Sequence, residues 1–262
     1  SCFEKGRDVS AAGTEYSTSS VMCAGLGTVA DSLAAIEHLV FTGKLCGWDE
    51  LRRALQDDWQ GHDELRLTAL RRAPKWGNND ARADRCAVAV CRSTAELINN
   101  TPNSRGGRFQ MGCWSIDHSV IMGERSAATP DGRRAGEPLA KNAGATIGMD
   151  RKGVTGLINS VTKLDATDFP DGSVLDIILH PTLVRGAAGG KCLRDILATF
   201  FRKGGFFIHF NVFDAETLKA AQASPEKYAN LQVRVCGWNA RFIDLSPGMQ
   251  DCFIREAESK AR

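Results

Sequence analysis

The stretch Arg234-Val235-Cys236-Gly237-Trp238-Asn239-Ala240-Arg241-Phe242 lies near the carboxyl end of the chain and decides how the rest is interpreted. The residues before Gly237 alternate between apolar and polar side chains, and this period of two predicts a strand. Apolar residues resume at Phe242, beyond the glycine. A glycine inside a strand pattern is typical of a tight turn or of a close approach between backbones. The stretch therefore predicts two strands joined by a turn that contains Gly237.

Together with the residues that follow it, this stretch resembles the glycyl radical motif of pyruvate formate-lyase-like enzymes. That motif is Arg-Val-x-Gly, then Tyr or Trp, with an aromatic residue five positions after the glycine and a leucine and a glutamine further on. The resemblance implies that Gly237 is catalytic and stores an unpaired electron on its Cα. A Cβ would resist the planar geometry of a backbone radical, which explains why the position is a glycine. The supporting motif positions are Arg234, Val235, Trp238, Phe242, Leu245 and Gln250.

Three other blocks resemble the same family. They are Pro-Lys-Trp-Gly-Asn at 74–78, Thr-Pro-Asp-Gly-Arg-Arg-Ala-Gly-Glu-Pro at 129–138, and Gly-Gly-Phe-Phe-Ile-His-Phe-Asn-Val at 204–212. In the family the last of these is a strand beside the glycyl loop, so His209 and Asn211 are candidates to line the active site. His118 is a third candidate, although a place in the core is the favoured alternative for it.

The resemblance extends from about residue 2 to residue 258 and implies an α/β fold. Enzymes of this family are ten-stranded β/α barrels built from two antiparallel halves, in which a glycyl finger loop meets a finger loop that carries a thiyl cysteine. The chain matches the C-terminal part, that is, the second half-barrel and the glycyl radical finger loop. We expect residues 1–124 to belong to the pyruvate formate-lyase-like barrel domain and 125–262 to the glycine radical domain, within one continuous structural unit.

The cysteine that carries the thiyl radical is not found in the chain. Cys2-Phe3-Glu4 superficially resembles the family motif Gly-Cys-x-Glu, but the residues after it match a segment downstream of the reactive cysteine. Cys236 adjoins Gly237, and its side chain is expected to point away from the strand face that the glycine uses. The resemblance implies a fragment of a lyase that is formate C-acetyltransferase-like, a dehydratase or a decarboxylase. Cys-Gly-Trp at the glycyl site, together with Trp76, favours the family's divergent branches.

The resemblance also implies partners. An activating enzyme with an iron–sulfur cluster and S-adenosylmethionine removes a hydrogen atom from the glycine, so the radical is derived from the protein and no cofactor is bound. The full-length enzyme is expected to act on a small-molecule substrate and to be a homodimer. A half-barrel leaves strand edges and an apolar face without partners, which favours aggregation or association.

Two other functions remain as alternatives. The chain could be a non-catalytic spare part that supplies a fresh glycyl loop to an enzyme damaged by oxygen. It could also be an NAD-binding oxidoreductase, because Gly25-Leu26-Gly27-Thr28-Val29-Ala30 fits the dinucleotide fingerprint G-x-G-x-x-A. We expect no clean strand before Gly25, and Glu37 is too near to bind the ribose, so the NAD alternative is the weaker one.

Composition excludes several classes of protein. The 33 basic and 31 acidic residues give a formal net charge of +2 without a basic cluster, so neither nucleic acid nor membrane is an expected partner. No apolar run reaches the length of a membrane span, and the amino terminus lacks a signal pattern. Nine cysteines, an odd number with no C-x2-C pair, favour reduced thiols over a disulfide framework or a zinc site. We expect a cytoplasmic protein without a bound metal.

Apolar spacing locates the remaining elements. Helices are predicted over 31–41, 48–58, 64–72, 81–99, 153–164, 193–201 and 214–223, and from 247 to the end. Strands are predicted over 106–123, 173–180 and 204–212. Gly189-Gly190 is predicted to be a loop, and Phe200 and Phe201 are both expected to point inward.

Overall fold

The computed structural model describes residues 1–235 and 237–260. Within that part of the chain, four parallel strands lie side by side in the order in which they occur in the sequence. They are β1 (Thr18–Met22), β2 (Arg108–Gly112), β3 (Leu175–Leu179) and β4 (Ile208–Val212). β1 pairs with β2 and β3 pairs with β4 along their whole length. A single parallel bridge between Cys113 and Ser173 joins β2 to β3. The neighbours in space are therefore also neighbours in sequence.

Helices connect these strands and cover them. Their bounds are α1 Cys2–Lys5, α2 Leu26–Ile36, α3 Trp48–Gln56, α4 Asp63–Arg71, α5 Ala81–Ile98, α6 His118–Glu124, α7 Gly153–Val161, α8 Gly186–Arg202, α9 Ala215–Ala223 and α10 Pro247–Lys260. Between α9 and α10 the chain forms an antiparallel hairpin of β5 (Gln232–Val235) and β6 (Trp238–Arg241). Among the described residues, no helix combines the length and the apolar composition needed to cross a bilayer.

Local sequence explains where several helices begin. The carboxylate of Asp80 accepts a hydrogen bond from the N–H of Arg82 at the start of α5. The carboxylate of Asp214 accepts one from the N–H of Thr217 at 2.7 Å and so caps α9. Such caps satisfy main-chain donors that have no partner inside the helix. The helices predicted over 81–99 and 214–223 are confirmed for this reason.

The two faces of the sheet belong to different hydrophobic cores. Leu175 and Ile177 of β3 pack into a core that also contains residues of α5, α7 and α8. Ile178 of β3 packs into a second core with Val235 and Phe242 of the hairpin region and with residues of α9 and α10. Because side chains alternate along a strand, residues two positions apart share a face. The sheet thus separates an outer helical layer from an inner face that the hairpin covers.

Three predictions about secondary structure are wrong. The strand predicted over 106–123 ends at Gly112, because Ser115 leaves the sheet. The N–H and hydroxyl of Ser115 donate to Asn142 Oδ1 at 2.8 and 3.1 Å, and its carbonyl accepts from the N–H of His118. His118 therefore begins α6 instead of lying in a strand. A strand, β1, does precede Gly25, where no clean strand was expected.

The other error concerns α8, which begins at Gly186 and so includes the predicted loop Gly189-Gly190. A Cβ at Gly189 would lie 2.1 Å from the carbonyl carbon of Val184, so glycine permits the first turns of α8 to pack against the preceding segment. Phe200 is buried as expected, whereas Phe201 is 52% exposed. One of the two aromatic rings therefore lies on the outer surface of the helix.

Candidate functional site

Gly237 lies in the turn between β5 and β6, and its conformation requires glycine. Val235 pairs with Trp238 across the turn, and Gly237 has φ 115°, a value that residues with a Cβ rarely adopt. Among the described residues, no atom lies within 4 Å of the place where a Cβ would be. The predicted strand–turn–strand is confirmed, but its second strand is β6, which ends at Arg241, and the apolar residues from Phe242 form a 3-10 turn. The glycine Cα faces open space at the tip of the hairpin.

Asn211 on β4 holds the hairpin through its main chain. The N–H of Arg234 donates to Asn211 Oδ1 at 2.8 Å, and Asn211 Nδ2 donates to the carbonyl oxygen of Arg234 at 3.1 Å. The guanidinium of Arg234 donates across the hairpin to Asn239 Oδ1 at 3.1 Å. A side-chain amide thus takes the place of a neighbouring strand and fixes β5 beside β4. The structure brings the candidate Asn211 to the glycine hairpin, and its place in an active site stays a prediction.

The far end of the hairpin is fixed by Phe242 and Gln250. Phe242 is fully buried in the second core, and its N–H donates to the carbonyl of Leu231 at 2.8 Å. Gln250 Nε2 on α10 donates to the carbonyl oxygens of Phe242 and Leu245, each at 3.2 Å. These contacts give Phe242 and Gln250 a structural basis for their motif positions, because they tie the exit of β6 to α10.

Trp238 lies next to the glycine and is 47% exposed. Its side chain lines a groove of about 400 Å³ whose other aromatic walls are Trp114, Phe206 and Phe207. Phe206 and Phe207 are also exposed. Trp238 therefore contributes one wall of an exposed aromatic groove beside the hairpin.

His209 lies on the inner face of β4 and pairs with Asp176 of β3 in the sheet register. Its Nδ1 is 3.0 Å from Asp176 Oδ1, and its side chain is 5% exposed. The other ring nitrogen, Nε2, is buried and has no hydrogen-bond partner among the described residues. The structure thus brings His209 and Asn211 to the same face of β4, two residues apart.

Lys141 and Glu256 extend the buried polar cluster around Asp176. Lys141 Nζ lies 3.3 Å from Asp176 Oδ2 and 3.6 Å from Glu256 Oε2, and it lies over the ring of Phe253. Burial alone would raise the pKa of Asp176, but Lys141 and His209 hold it below its ordinary value. Burial raises the pKa of Glu256, and Lys141 offsets only part of that effect. A lysine between two carboxylates therefore joins the sheet to α10 on the side of the hairpin.

The sequence analysis did not identify Asp176, Lys141 or Glu256. Asp176 is the one charged residue within an otherwise apolar strand, and this was the only sequence feature that could have indicated a buried polar cluster. Charged side chains are rarely buried without a partner, so an isolated aspartate in a buried strand indicates a partner distant in sequence. Nothing in the local pattern reveals that Lys141 is this partner.

His118 is 40% exposed at the start of α6, and its Nδ1 lies 3.4 Å from Asp117 Oδ1. The favoured place in the core is therefore wrong for His118. The suggestion that His118 lines an active site stays a prediction. The prediction about the side chain of Cys236 lies outside the described residues.

The glycines of the G-x-G-x-x-A stretch pack against the protein itself. A Cβ at Gly27 would lie 2.7 Å from the carbonyl oxygen of Gly144 and 2.8 Å from the Cβ of Ala140. The hydroxyl of Thr28 accepts a hydrogen bond from the N–H of Ala140 at 2.8 Å. The loop around residues 140–146 thus covers the amino-terminal turn of α2, where a dinucleotide would place its pyrophosphate.

Comparisons with known proteins match both parts of the chain. The family model described as pyruvate formate lyase-like matches residues 1–123, and the one described as glycine radical matches residues 139–243. The probable dehydratase YbiW of Escherichia coli K12 is 34% identical over 266 residues, covering 98% of this chain and 33% of its own length. The (2S)-3-sulfopropanediol dehydratase of Klebsiella oxytoca is 32% identical over 262 residues, with 98% and 32% covered.

Solved structures give the same result. The glycerol-bound B12-independent glycerol dehydratase from Clostridium butyricum superposes with a TM-score of 0.93 at 35% identity, over 97% of this chain and 32% of that one. A glycyl radical enzyme from Archaeoglobus fulgidus superposes with a TM-score of 0.91 at 37% identity, with the same coverage. The chain spans about a third of the length of the curated relatives that it matches.

Proposed function

The chain belongs to the glycyl radical enzyme family, and we propose that Gly237 stores a backbone radical for hydrogen-atom abstraction in a pyruvate formate-lyase-like lyase. The observation that carries this proposal is the conformation of Gly237. It lies at the tip of a hairpin, has a φ suited to glycine, and has no described atom where a Cβ would point. A Cα–H bond there is open to a reactant that approaches the tip.

The surroundings of the hairpin suit a stored radical. Flattening of the Cα changes the local backbone, and the rest of the loop must remain in place while it happens. Asn211 binds the main chain before the glycine, and Gln250 binds the main chain after it. The change is thereby restricted to the turn itself. These contacts support a role of Arg234, Val235, Phe242 and Gln250 in holding the loop.

The reaction needs groups that this chain does not supply. We propose that a radical-SAM activating enzyme, which carries the iron–sulfur cluster and S-adenosylmethionine, removes a hydrogen atom from Gly237. A cysteine S–H from another part of the enzyme then gives its hydrogen atom to the glycyl Cα, so the Cα–H bond forms again and a thiyl radical remains. That thiyl radical takes hydrogen from a small-molecule substrate.

The fold supports a place within a larger barrel. We propose that the parallel strands β1 to β4 are part of the second half of a ten-stranded β/α barrel, with the hairpin as its glycyl finger. The superposition on complete enzymes over 97% of this chain supports this arrangement. The domain division at residues 124 and 125 remains a proposal. The first core, which combines residues from Leu26 to Ile208, supports one continuous unit.

The reaction class is proposed from the relatives. Several relatives are dehydratases, and others are isethionate sulfite-lyases. We therefore favour cleavage of a carbon–heteroatom bond over formate C-acetyltransferase-like or decarboxylase chemistry. A homodimeric state and an anaerobic, cytoplasmic setting belong to the same proposal.

Electron paramagnetic resonance tests the radical directly. Anaerobic protein is incubated with a cognate activating enzyme, reductant and S-adenosylmethionine. The expected result is a doublet from the glycyl α-hydrogen that disappears on exposure to air, together with chain cleavage at Gly237. If folded protein gives no signal, the test is repeated on a longer protein that contains this chain. Absence of a radical there as well contradicts the proposal.

The spare-part function is favoured by one observation. The hairpin, α9 and α10 pack together in the second core, where Val120 of α6 and Ile178 of β3 join them, and the aromatic groove beside Trp238 is exposed. A separate polypeptide with these features could dock onto an enzyme that has lost its glycyl loop. The upstream reading frame distinguishes the two functions, because a contiguous Gly-Cys-x-Glu segment indicates one complete enzyme.

A further inference from the structure

His209 has one ring nitrogen bound and the other without a partner among the described residues. Nδ1 lies 3.0 Å from Asp176 Oδ1, whereas Nε2 is buried and makes no hydrogen bond. A buried polar atom without a partner is costly and therefore calls for an explanation. With its side chain 5% exposed, His209 cannot satisfy Nε2 with bulk solvent.

Asp176 determines what Nε2 can do. Asn142 Nδ2 donates to Asp176 Oδ2 at 2.8 Å, and Lys141 Nζ lies 3.3 Å from the same oxygen. These donors favour the ionised form of Asp176. An ionised carboxylate accepts a hydrogen bond from Nδ1–H of His209. In the neutral imidazole the remaining nitrogen is then an acceptor. Asp176 thus orients the ring, and in this tautomer Nε2 carries a lone pair.

The position of His209 along β4 places it level with the turn of the hairpin. Asn211, two residues further along the same face, binds the main chain of Arg234 in β5. Phe207, two residues before it on that face, lines the same groove as Trp238 of β6. His209 lies between these two levels, as Gly237 lies between Val235 of β5 and Trp238 of β6.

We propose that His209 is a positioning residue for the radical, with Nε2 accepting a hydrogen bond from the main-chain N–H of Gly237 once Gly237 has become a radical. This inference rests on the proposed function of Gly237. Loss of the hydrogen atom converts the Cα from tetrahedral to planar and carries the φ of 115° toward extended backbone. The adjoining N–H groups rotate as this happens. A bond made only in the radical state favours that state over the resting one.

The chemical balance involves no change at the imidazole. The Cα–H bond of Gly237 breaks homolytically and the hydrogen atom leaves with the radical of the activating enzyme. His209 gains a hydrogen bond and neither gains nor loses a proton. The N–H that it binds belongs to the donor side of the captodative radical, so the bond raises electron density on that nitrogen.

Two substitutions and a matched control test the role. His209→Phe keeps a ring of similar size and removes the acceptor. His209→Gln keeps an acceptor, because the side-chain amide oxygen lies about as far from the main chain as Nε2 does. His180→Phe makes the same chemical change directly after β3, where His180 Nδ1 accepts a hydrogen bond from the N–H of Thr182. Circular dichroism and thermal unfolding first establish that each variant is folded.

The readouts are the radical concentration and its lifetime under anaerobic conditions. We expect His209→Phe to lower the spins per chain about fivefold, the factor that corresponds to one ordinary hydrogen bond. We expect His209→Gln to recover most of the signal and His180→Phe to match the parent protein. If His209→Phe does not fold, the inference is tested instead by comparing the parent protein with His209→Gln by electron spin-echo envelope modulation.

Electron spin-echo envelope modulation supplies a readout that a merely structural role would not change. With isotopically labelled histidine, the parent radical is expected to show coupling to an imidazole nitrogen, and His209→Gln is expected to lose it. A parent radical without imidazole coupling, or equal radical yields in the parent and in folded His209→Phe, overturns the inference and leaves the glycyl assignment intact. If no variant and no parent protein forms a radical, the proposed function of Gly237 fails instead.

Discussion

The side-chain amide of Asn211 makes two hydrogen bonds with the main chain of Arg234. The N–H of Arg234 donates to Asn211 Oδ1 at 2.8 Å, and Asn211 Nδ2 donates to the carbonyl oxygen of Arg234 at 3.1 Å. The contact joins β4 of the parallel sheet to β5 of the hairpin, 23 residues later. A strand could supply the same two hydrogen bonds only as part of a longer pairing. One buried amide therefore determines where the glycine turn begins.

Asn211→Leu is expected to destabilise the protein by about 1–3 kcal/mol, because it removes both hydrogen bonds and leaves polar main-chain atoms without partners. Denaturant unfolding measures this loss, and limited proteolysis at the hairpin reports its location. Asn239→Leu is the matched control, since Asn239 is exposed and its side chain accepts a hydrogen bond from the guanidinium of Arg234. Equal effects of the two substitutions would contradict the role of Asn211 as the main attachment.

Gly237→Ala is expected to abolish the radical while the fold survives. The added Cβ meets no described atom within 4 Å, so the cost is backbone strain at φ 115°, of the order of 1–3 kcal/mol. Thermal unfolding followed by circular dichroism measures the strain, and paramagnetic resonance measures the radical. Gly190→Ala lies in α8 with open space and serves as the control. A radical that persists in Gly237→Ala shows that the assignment is wrong.

Lys141→Met is expected to be among the most destabilising single changes, at roughly 3–5 kcal/mol, because it leaves Asp176 and Glu256 buried without their cation. Adding Glu256→Gln should recover part of the loss, since one of the two carboxylates is then neutral. Urea unfolding of both variants provides the comparison. Lys191→Met, which breaks an exposed pair with Asp195, should leave the midpoint unchanged. A double variant no more stable than Lys141→Met would show that the two acids do not share the lysine.

Asp31 is expected to make stability depend on pH. The carboxylate accepts from the N–H of Trp76 at 2.6 Å and from the hydroxyl of Thr146 at 2.9 Å, and burial raises its pKa to about 7. Its folded pKa thus lies above the ordinary value of 3.8, so the folded state holds the proton more tightly. This contribution is complete below about pH 4 and is lost as the pH rises to about 7.

Asp31→Asn should flatten that part of the curve, because the amide can accept from Trp76 and donate to the Thr146 hydroxyl without titrating. The measurement is the free energy of unfolding from urea titrations at several values between pH 4 and 8. The difference between parent and variant is expected to change by up to roughly 4 kcal/mol, the equivalent of three pKa units. Parallel curves for the two proteins would rule out a titrating Asp31.

Gly27→Ala distinguishes packing from nucleotide binding in the G-x-G-x-x-A stretch. The Cβ would lie 2.7 Å from a main-chain oxygen of Gly144, so we expect a loss of about 1–3 kcal/mol from overpacking. We also expect NAD and NADH to leave the melting temperature of the parent protein unchanged. A rise in melting temperature with nucleotide, absent from Gly27→Ala, would favour the oxidoreductase alternative.

Much of the fold follows from local patterns. Asp80 and Asp214 cap the helices that the apolar spacing predicts, because a cap needs only a side chain and the first main-chain N–H groups. The first strand of the hairpin and its turn were predictable from the alternation before Gly237 and from the glycine itself. The start of α8 was not, because two glycines favour a loop unless the preceding segment packs against one of them, as Val184 does against Gly189.

The sequence by itself determined the family, the hairpin and the glycine at its tip, since each depends on residues that are close together in the chain. Tertiary structure alone decided the surroundings of that hairpin. Asp176 meets His209 and Lys141 because β3, β4 and the loop before α7 converge, and these contacts span 33 and 35 positions of the chain. Burial and charge pairing act over distances in space, which a local sequence pattern does not encode.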